Sequence, residues 1–368
     1  MAAYTTIDDP SEYFQTLVYA GTGGLNVPVT HTNTGNSDLQ PDFIWFKDRG
    51  AGYSHALYDS NRGRAKVVYS DSTVAEASSG VNDDLVSFDS DGFKVGSPSN
   101  ANSTNGGTTS KVAYQWKSNG GTTASNSDGD LTSTTQFNST AMFSIITYTG
   151  KDPIEPLDIG HGMGVAPDVY IVKNRDRSAN WGVYHKNLTS PAENRNLKLN
   201  LANAEAAEST FWRNEAPTTT IIKTGENASV NVANEKFIVY AWKSVQGFSK
   251  FSSYEGNGEA TNGPFVFTGF SPAWVMIKNI ETANRPWYIF DNQRRTFNPN
   301  GTIFKANTGD AEATDQAIDM LSNGFKIRPD ALGSFGTSTL NHSGQTMVYL
   351  AFAHHPQVTS TGIPTTAR

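Results

Sequence analysis

Apolar and polar positions along the chain alternate in short bursts, and one burst is spelled three times. Pro41-Asp42-Phe43-Ile44-Trp45-Phe46-Lys47-Asp48-Arg49 is the first copy, and Pro167-Asp168-Val169-Tyr170-Ile171-Val172-Lys173-Asn174-Arg175 is the second. Pro272-Ala273-Trp274-Val275-Met276-Ile277-Lys278-Asn279 is the third. Each holds about five β-branched or aromatic residues, too few for a stable helix and too apolar for a loop, so each reads as a strand buried on both faces. Pro41, Pro167 and Pro272 suit a strand's first residue, where a missing N–H costs no ladder bond. Lys47, Lys173 and Lys278 mark where the chain is expected to return to water, their stems lying over the core edge.

The flanks repeat too. Tyr19-Ala20-Gly21, Tyr148-Thr149-Gly150 and Tyr254-Glu255-Gly256 lie upstream. Leu57-Tyr58-Asp59, Val183-Tyr184-His185 and Ile289-Phe290-Asp291 lie downstream, with Trp181 and Trp287 before the last two. Each copy closes on another apolar strand: Val112–Trp116, Ile238–Trp242 and Val348–Phe352. Copies stand roughly 105 to 125 residues apart, far above the 20–50 of solenoids and propeller blades. A unit of that length can bury its own core, so the pattern predicts three homologous domains in tandem, each independent and of nearly the same topology.

In order, the reading is an N-terminal arm over 1–15, a first repeat over 16–118, a polar linker over 119–141, a second repeat over 142–246, a third over 247–356 and a polar tail over 357–368, expected to be disordered. Within the linker, Leu131 and Phe137 are suited to an extended strand. Helical turns are expected at Glu76–Leu85, at Asn203–Glu208 and at Ala311–Leu321. Asp91-Gly92 and Asn323-Gly324 are expected to close hairpins, the former as a type I′ turn. Seven to nine short strands per unit make an all-β chain of antiparallel sandwiches or jelly rolls with few short helices. Most of the seven Trp then belong to the core.

Composition narrows the function. Only 17% of the 368 residues are charged and the formal net charge is −7. With no Lys/Arg run, electrostatic binding to a nucleic-acid backbone is not expected. Cysteine is absent, which removes disulfides and thiol chemistry. No apolar run is long enough to span a membrane as a helix. The first residues have neither the basic start nor the apolar centre of a signal peptide.

Candidate chemistry is sparse. Asp83, Asp84, Asp89 and Asp91 are clustered, but the spacing misses a calcium loop, which wants Gly sixth and Glu twelfth where Lys94 and Asn100 stand. The His residues are scattered without metal-binding spacing, and no glycine elbow surrounds a serine. The position after the downstream strand reads Asp59, His185 and Asp291, so no acid there is used in every unit. No catalytic, cofactor-binding or metal-binding residue is assigned, and the expectation is a non-enzyme without cofactor. In the arm, Ile7, Tyr13 and Phe14 are apolar groups in a polar segment, and they are read as an anchor to another subunit or to a particle.

Several passages resemble a known family. Thr5 to Thr16, Leu39-Gln40-Pro41-Asp42, Phe88 to Phe93, Gly160 to Pro167, Val172 to Arg175 and Trp181 to His185 look like a repeat domain in virion proteins of marine tailed bacteriophages. The likeness covers nearly the whole chain. It implies a lectin-like or concanavalin-like sandwich in a structural protein of tail-fibre or head-decoration type, located in the virion. The partners it implies are capsid or tail proteins and a glycan on the host surface, while the repeated, self-similar surfaces of the three copies lead to the expectation of a single-chain ring or a homotrimer. A second reading, from a different class, is a carbohydrate-binding or carbohydrate-cleaving tailspike. The third copy departs from the pattern, with Ala273 for the Asp and Ile280 for the Arg.

Overall fold

The computed structural model describes residues 4–23, 27–151, 156–259, 261–328 and 339–365. Five strands recur in each repeat. They are β1 (Phe14–Ala20), β2 (Phe43–Asp48), β3 (Ala56–Asp59), β4 (Lys66–Tyr69) and β5 (Ser110–Trp116) in the first. The second has β6 (Phe143–Thr149), β7 (Val169–Asn174), β8 (Gly182–His185), β9 (Arg195–Lys198) and β10 (Lys236–Trp242). The third has β11 (Ser249–Glu255), β12 (Phe270–Asn279), β13 (Tyr288–Asp291), β14 (Asn300–Lys305) and β15 (Thr346–Pro356). Their order across the sheet is the same each time, β1-β5-β2-β3-β4, β6-β10-β7-β8-β9 and β11-β15-β12-β13-β14, all antiparallel. The fold is all-β, and each repeat packs smaller strands, such as Gly92–Val95 or Ile221–Thr224, outside this five-strand unit.

The recurring flanks have physical reasons. The Tyr of each Tyr-x-Gly donates its hydroxyl to a backbone carbonyl late in its own repeat: Tyr19 to Thr104 at 2.6 Å, Tyr148 to Val230 at 2.5 Å and Tyr254 to Leu340 at 2.9 Å. The glycine lets that segment come close, since a Cβ on Gly150 would stand 2.3 Å from the Val232 carbonyl and one on Gly256 2.3 Å from that of His342. Asp48, Asn174 and Asn279 each accept two backbone N–H groups two and three residues on, turning the chain out of the buried strand. Pro41 and Pro167 sit just ahead of their strands, whereas Pro272 lies inside β12 at a shift of register, where no ladder bond is needed from it.

The repeats are not independent. Along β2 the side chains alternate: Ile44 and Phe46 enter a core private to repeat 1, while Phe43 and Trp45 join one core common to all three repeats. In that common core Trp116 lies 6.5 Å from Trp242, 5.8 Å from Trp274 and 5.5 Å from Phe352, centroid to centroid. Phe43 stacks on Tyr240 at 4.2 Å, and Phe14 on Phe352 at 5.1 Å.

Several local expectations are corrected. Glu76–Leu85 holds a short strand, Ala77–Ser78, and no helix; Ala313–Leu321 is a strand; the helical turn expected at Asn203–Glu208 is a short strand followed by a single turn at Ser209–Trp212. In each case pairing with a neighbouring strand overrides weak helix propensity. Gly92 alone takes a positive φ, after the turn residues Ser90 and Asp91, so that hairpin is not type I′; Asn323-Gly324 closes its hairpin with no positive φ at either residue. Residues 124–126 and 133–138 of the expected linker are strands that extend the sheet of repeat 2. Of the tail, Gln357 to Thr365 folds back on the chain, with Gln357 N–H donating to Gly269 and Ser360 bonding to Asp8.

Candidate functional site

The motif lysines do not reach water. Lys47, Lys173 and Lys278 are all fully buried. Each ammonium donates to backbone carbonyls of its own turn and to one carbonyl of a neighbouring repeat: Lys47 to Gly309 at 3.0 Å, Lys173 to Thr73 at 3.0 Å and Lys278 to Ala202 at 3.4 Å. Repeat 1 thus reaches repeat 3, repeat 2 reaches repeat 1, and repeat 3 reaches repeat 2. Burial lowers the lysine pKa values from the ordinary range to about 8, about 8 and about 7 in the same order. The expectation of a snorkelling strand end fails because the strand ends under a neighbour rather than at solvent.

A second contact follows the same cycle. Trp181 Nε1 donates to the Tyr69 carbonyl at 2.8 Å, and Trp287 Nε1 to that of Lys198 at 3.2 Å. Repeat 1 has His55 at this place. Its Nδ1 accepts the Trp45 indole N–H at 2.8 Å, so Nε2 carries the proton and donates to the Lys305 carbonyl at 3.1 Å. Burial holds the His55 pKa well below its usual value, in keeping with a neutral ring. A third contact is a backbone bond of 2.8 Å from Glu76 to Arg175, from Glu205 to Ile280 and from Glu312 to Arg49.

Three equivalent seams close into a ring, and they differ in chemistry. At the seam of repeats 1 and 2, Asp59 accepts Arg62 at 2.5 Å and the Tyr240 hydroxyl at 2.7 Å, while Glu76 accepts Arg62 at 2.9 Å and Arg175 at 2.7 Å. At the seam of repeats 3 and 1, Asp291 accepts Arg294 and the Tyr114 hydroxyl, while Glu312 accepts Arg294 at 3.2 Å and Arg49 at 2.8 Å. Burial opposes the charge on both inner arginines, but Asp59, Tyr240 and Glu76 raise the Arg62 pKa, and Asp291, Tyr114 and Glu312 that of Arg294. At the seam of repeats 2 and 3 four of these five positions are exchanged, and only the Glu is kept, as Glu205. His185 replaces the Asp, Leu188 the inner Arg, Ile280 the outer Arg and Leu350 the Tyr. His185, held near pKa 4 by burial, accepts the Asn187 N–H on Nδ1 and gives its Nε2–H to the Tyr349 carbonyl at 3.4 Å. The Asp, His, Asp pattern seen in sequence is one member of a group of positions that change together. Arg62, Arg294, Glu76, Glu312, Tyr114 and Tyr240 were missed by sequence reasoning; the repeated Asp-x-x-Arg of Asp59/Arg62 and Asp291/Arg294 was the available signal.

The remaining sequence candidates resolve as follows. Asp42 and Asp168 cap the segment after the closing strand, taking Ser118, Gly120 and Gly121 N–H groups in repeat 1 and the Ser244 N–H in repeat 2; Ala273 leaves repeat 3 without that cap. Asp84 is buried and accepts three backbone N–H groups, so its carboxylate is a structural acceptor. No group of three or more metal-binding side chains comes together among the described residues. The anchor assignment is corrected: Ile7 and Phe14 are buried in the common core, and Tyr13 packs on Phe248 at 5.9 Å. With Thr5 bonded to the Gln246 carbonyl at the end of repeat 2 and Tyr4 to that of Gly269 in repeat 3, the arm staples repeat 1 to its neighbours, and of the three residues Tyr13 alone keeps part of its surface exposed.

Fold and seams define a class: a single chain whose three all-β repeats close head to tail into a ring on one aromatic core. The chain belongs to DUF7483, a family described as a domain of unknown function, whose model matches residues 9–356. No curated protein and no solved structure matches it.

Proposed function

We propose that the chain is a non-enzymatic structural component of a bacteriophage particle, of tail-fibre or head-decoration type. One observation carries this reading: three equivalent seams close the repeats into a ring inside one polypeptide. Such a ring presents three related faces to a threefold position on an assembly without needing a second copy of itself. Several strongly perturbed titratable groups support it as well, because Lys47, Lys173, Lys278, His55, His185, Arg62 and Arg294 are buried and engaged in holding repeats together. Perturbed groups of that kind serve structure as readily as catalysis. The sequence resemblance to virion repeat domains points the same way. Mass spectrometry of purified particles, with heads and tails separated, tests it. The chain is expected in one fraction at a fixed copy number relative to the major capsid protein, and its absence from both fractions would sink the reading.

A further inference from the structure

Repeat 3 leaves open a sheet edge that repeat 2 closes. The strand Phe265–Phe267 is the last of its sheet and pairs on one side only, with Gly324–Arg328. Its counterparts are Val29–His31 and Leu157–Gly160, since Phe265, Thr30 and Asp158 stand opposite Lys326, Lys94 and Lys223. In repeat 2 the outer side of that strand is filled by the segment ahead of the repeat. The Asp130 N–H donates to the Asp158 carbonyl at 2.9 Å, the Asp158 N–H to the Asp130 carboxylate at 2.9 Å and the Ser133 hydroxyl to the Gly160 carbonyl at 2.7 Å. Repeat 3 has no such segment ahead of it, because β10 ends at Trp242 and β11 starts at Ser249.

The open edge is apolar as well as unpaired. The Pro264 carbonyl accepts the Ile327 N–H and the Thr268 N–H donates to the Asn323 carbonyl, both at 3.0 Å. Alternation along an antiparallel ladder then turns the N–H and C=O of Phe265 and Phe267 outwards, where no bond to them is made among the described residues. Their rings share the outer face, 47% and 52% exposed, while Val266 is buried. The fold does not ask for aromatic rings here. The two positions are Thr30 and Thr32 in repeat 1, both exposed, and Asp158 and Gly160 in repeat 2. Natural sheet edges are usually blunted by a charged side chain or a covering element, and Phe265–Phe267 has neither among the described residues.

Phe265-Val266-Phe267 reads the same in both directions, so it is complementary to itself under antiparallel pairing. Two such strands laid about a twofold axis at Val266 put Phe265 of each against Phe267 of the other. Each facing pair exchanges two N–H···O=C bonds, which satisfies all four outward groups of each edge. A row across the joined sheets then reads Asp319, Lys326 and Phe265, followed by Phe267, Gly324 and Leu321 of the second copy, with the rings side by side and no like charges adjacent. We propose that Phe265–Phe267 is a self-association edge, through which two copies of this chain join their third repeats into one continuous antiparallel sheet. The contact is isologous and closes at two copies. It uses none of the three seams and is read on the isolated chain, so it and the particle reading can fail separately.

Sedimentation velocity of the full chain tests it. Raising the concentration through the micromolar range should shift the mass from that of one chain to that of two, and no further. Phe265→Thr combined with Phe267→Thr copies the edge of repeat 1 and should hold the mass at one chain at every concentration. Both rings are half-exposed, so the melting temperature should change little. If that variant does not fold, hydrogen exchange on the parent decides the matter. The amides of Phe265 and Phe267 should exchange more slowly as concentration rises, whereas the Val266 amide, already in the ladder, should not change. A parent that stays a single chain, a folded double variant that still pairs, or Phe265 and Phe267 amides that exchange at one rate at all concentrations overturns the proposal.

Discussion

Buried lysines without a carboxylate partner are uncommon, and three at one repeated position call for a reason. Each ammonium collects carbonyl oxygens from a tight turn and from the adjoining repeat, so it neutralises converging dipoles at a seam. The cost is visible in pH. For a lysine whose folded pKa lies near 8 or 7 and whose unfolded pKa lies near 10.4, the unfolded chain binds more protons between those values. Stability therefore climbs as pH rises from about 7.5 towards 9.5, and is lost again as pH falls through the folded pKa values. Lys173→Met should flatten this climb by up to about 1.4 kcal/mol per pH unit, read as the difference in urea unfolding free energy at the two pH values. Equal slopes in variant and parent would show that the ammonium is not perturbed as described. The seam acids give a second residue-scale prediction. Arg294→Leu alone strands Asp291 in a buried site and should cost about 3–5 kcal/mol. Adding Asp291→His and Tyr114→Leu brings three of the four exchanged positions to their state at the seam of repeats 2 and 3, with Arg49 still paired to Glu312, and should recover much of that loss. Urea unfolding of the single and triple variants checks it, and a triple no better than the single would mean the exchanged positions do not act as a set.

At the scale of the strand, Ile44, Ile171 and Ile277 are all buried, as the apolar bursts imply, but they do not face the same way. Register puts Ile171 level with Trp45 and Met276 beside the common core, while Ile44 points into the private core of repeat 1. Replacing Ile44 or Ile277 by Ala should cost about 2–5 kcal/mol by cavity formation, and a melting temperature unmoved by either would count against the strand assignment. Strands of this kind were legible because a short continuous apolar run and its threefold repetition gave two independent signals. The helices expected at Asn203–Glu208 and Ala311–Leu321 had only local propensity behind them, and sheet pairing outweighed it. The seams were half legible. Lys47, Lys173 and Lys278 stood out as the shared polar position, yet a lysine at a strand end looks the same in sequence whether water or a neighbouring repeat lies beyond it. Arg62 and Tyr240 are 178 positions apart, and nothing in a single sequence links them until the ring is closed. The missing cap of repeat 3 was visible only as a departure, Ala273 for Asp, whose meaning depends on the N–H groups that the carboxylate takes in the other two repeats.

For the whole molecule, the question is whether a ring of homologous repeats behaves as three units or as one. Size alone argues for three, since each repeat is long enough to fold by itself. Packing argues for one. Phe43, Trp116, Trp242, Trp274 and Phe352 meet in the common core, so unfolding one repeat would expose aromatic faces on the other two, leave a carbonyl without its lysine donor at one flanking seam and leave a buried lysine without its carbonyl at the other. Stranded apolar area and unmade hydrogen bonds both raise the free energy of any partly unfolded ring. Ile171→Ala discriminates between the two pictures, because its side chain lies in the common core but belongs to repeat 2. In a cooperative ring, the slowest-exchanging amides of β2, β7 and β12 lose hydrogen-exchange protection by the same amount, about 2–5 kcal/mol. In a string of independent domains only β7 and its neighbours lose it. Native-state hydrogen exchange followed by mass spectrometry resolves the three strands, and protection that falls in repeat 2 alone would refute the single-ring description while leaving each sheet intact.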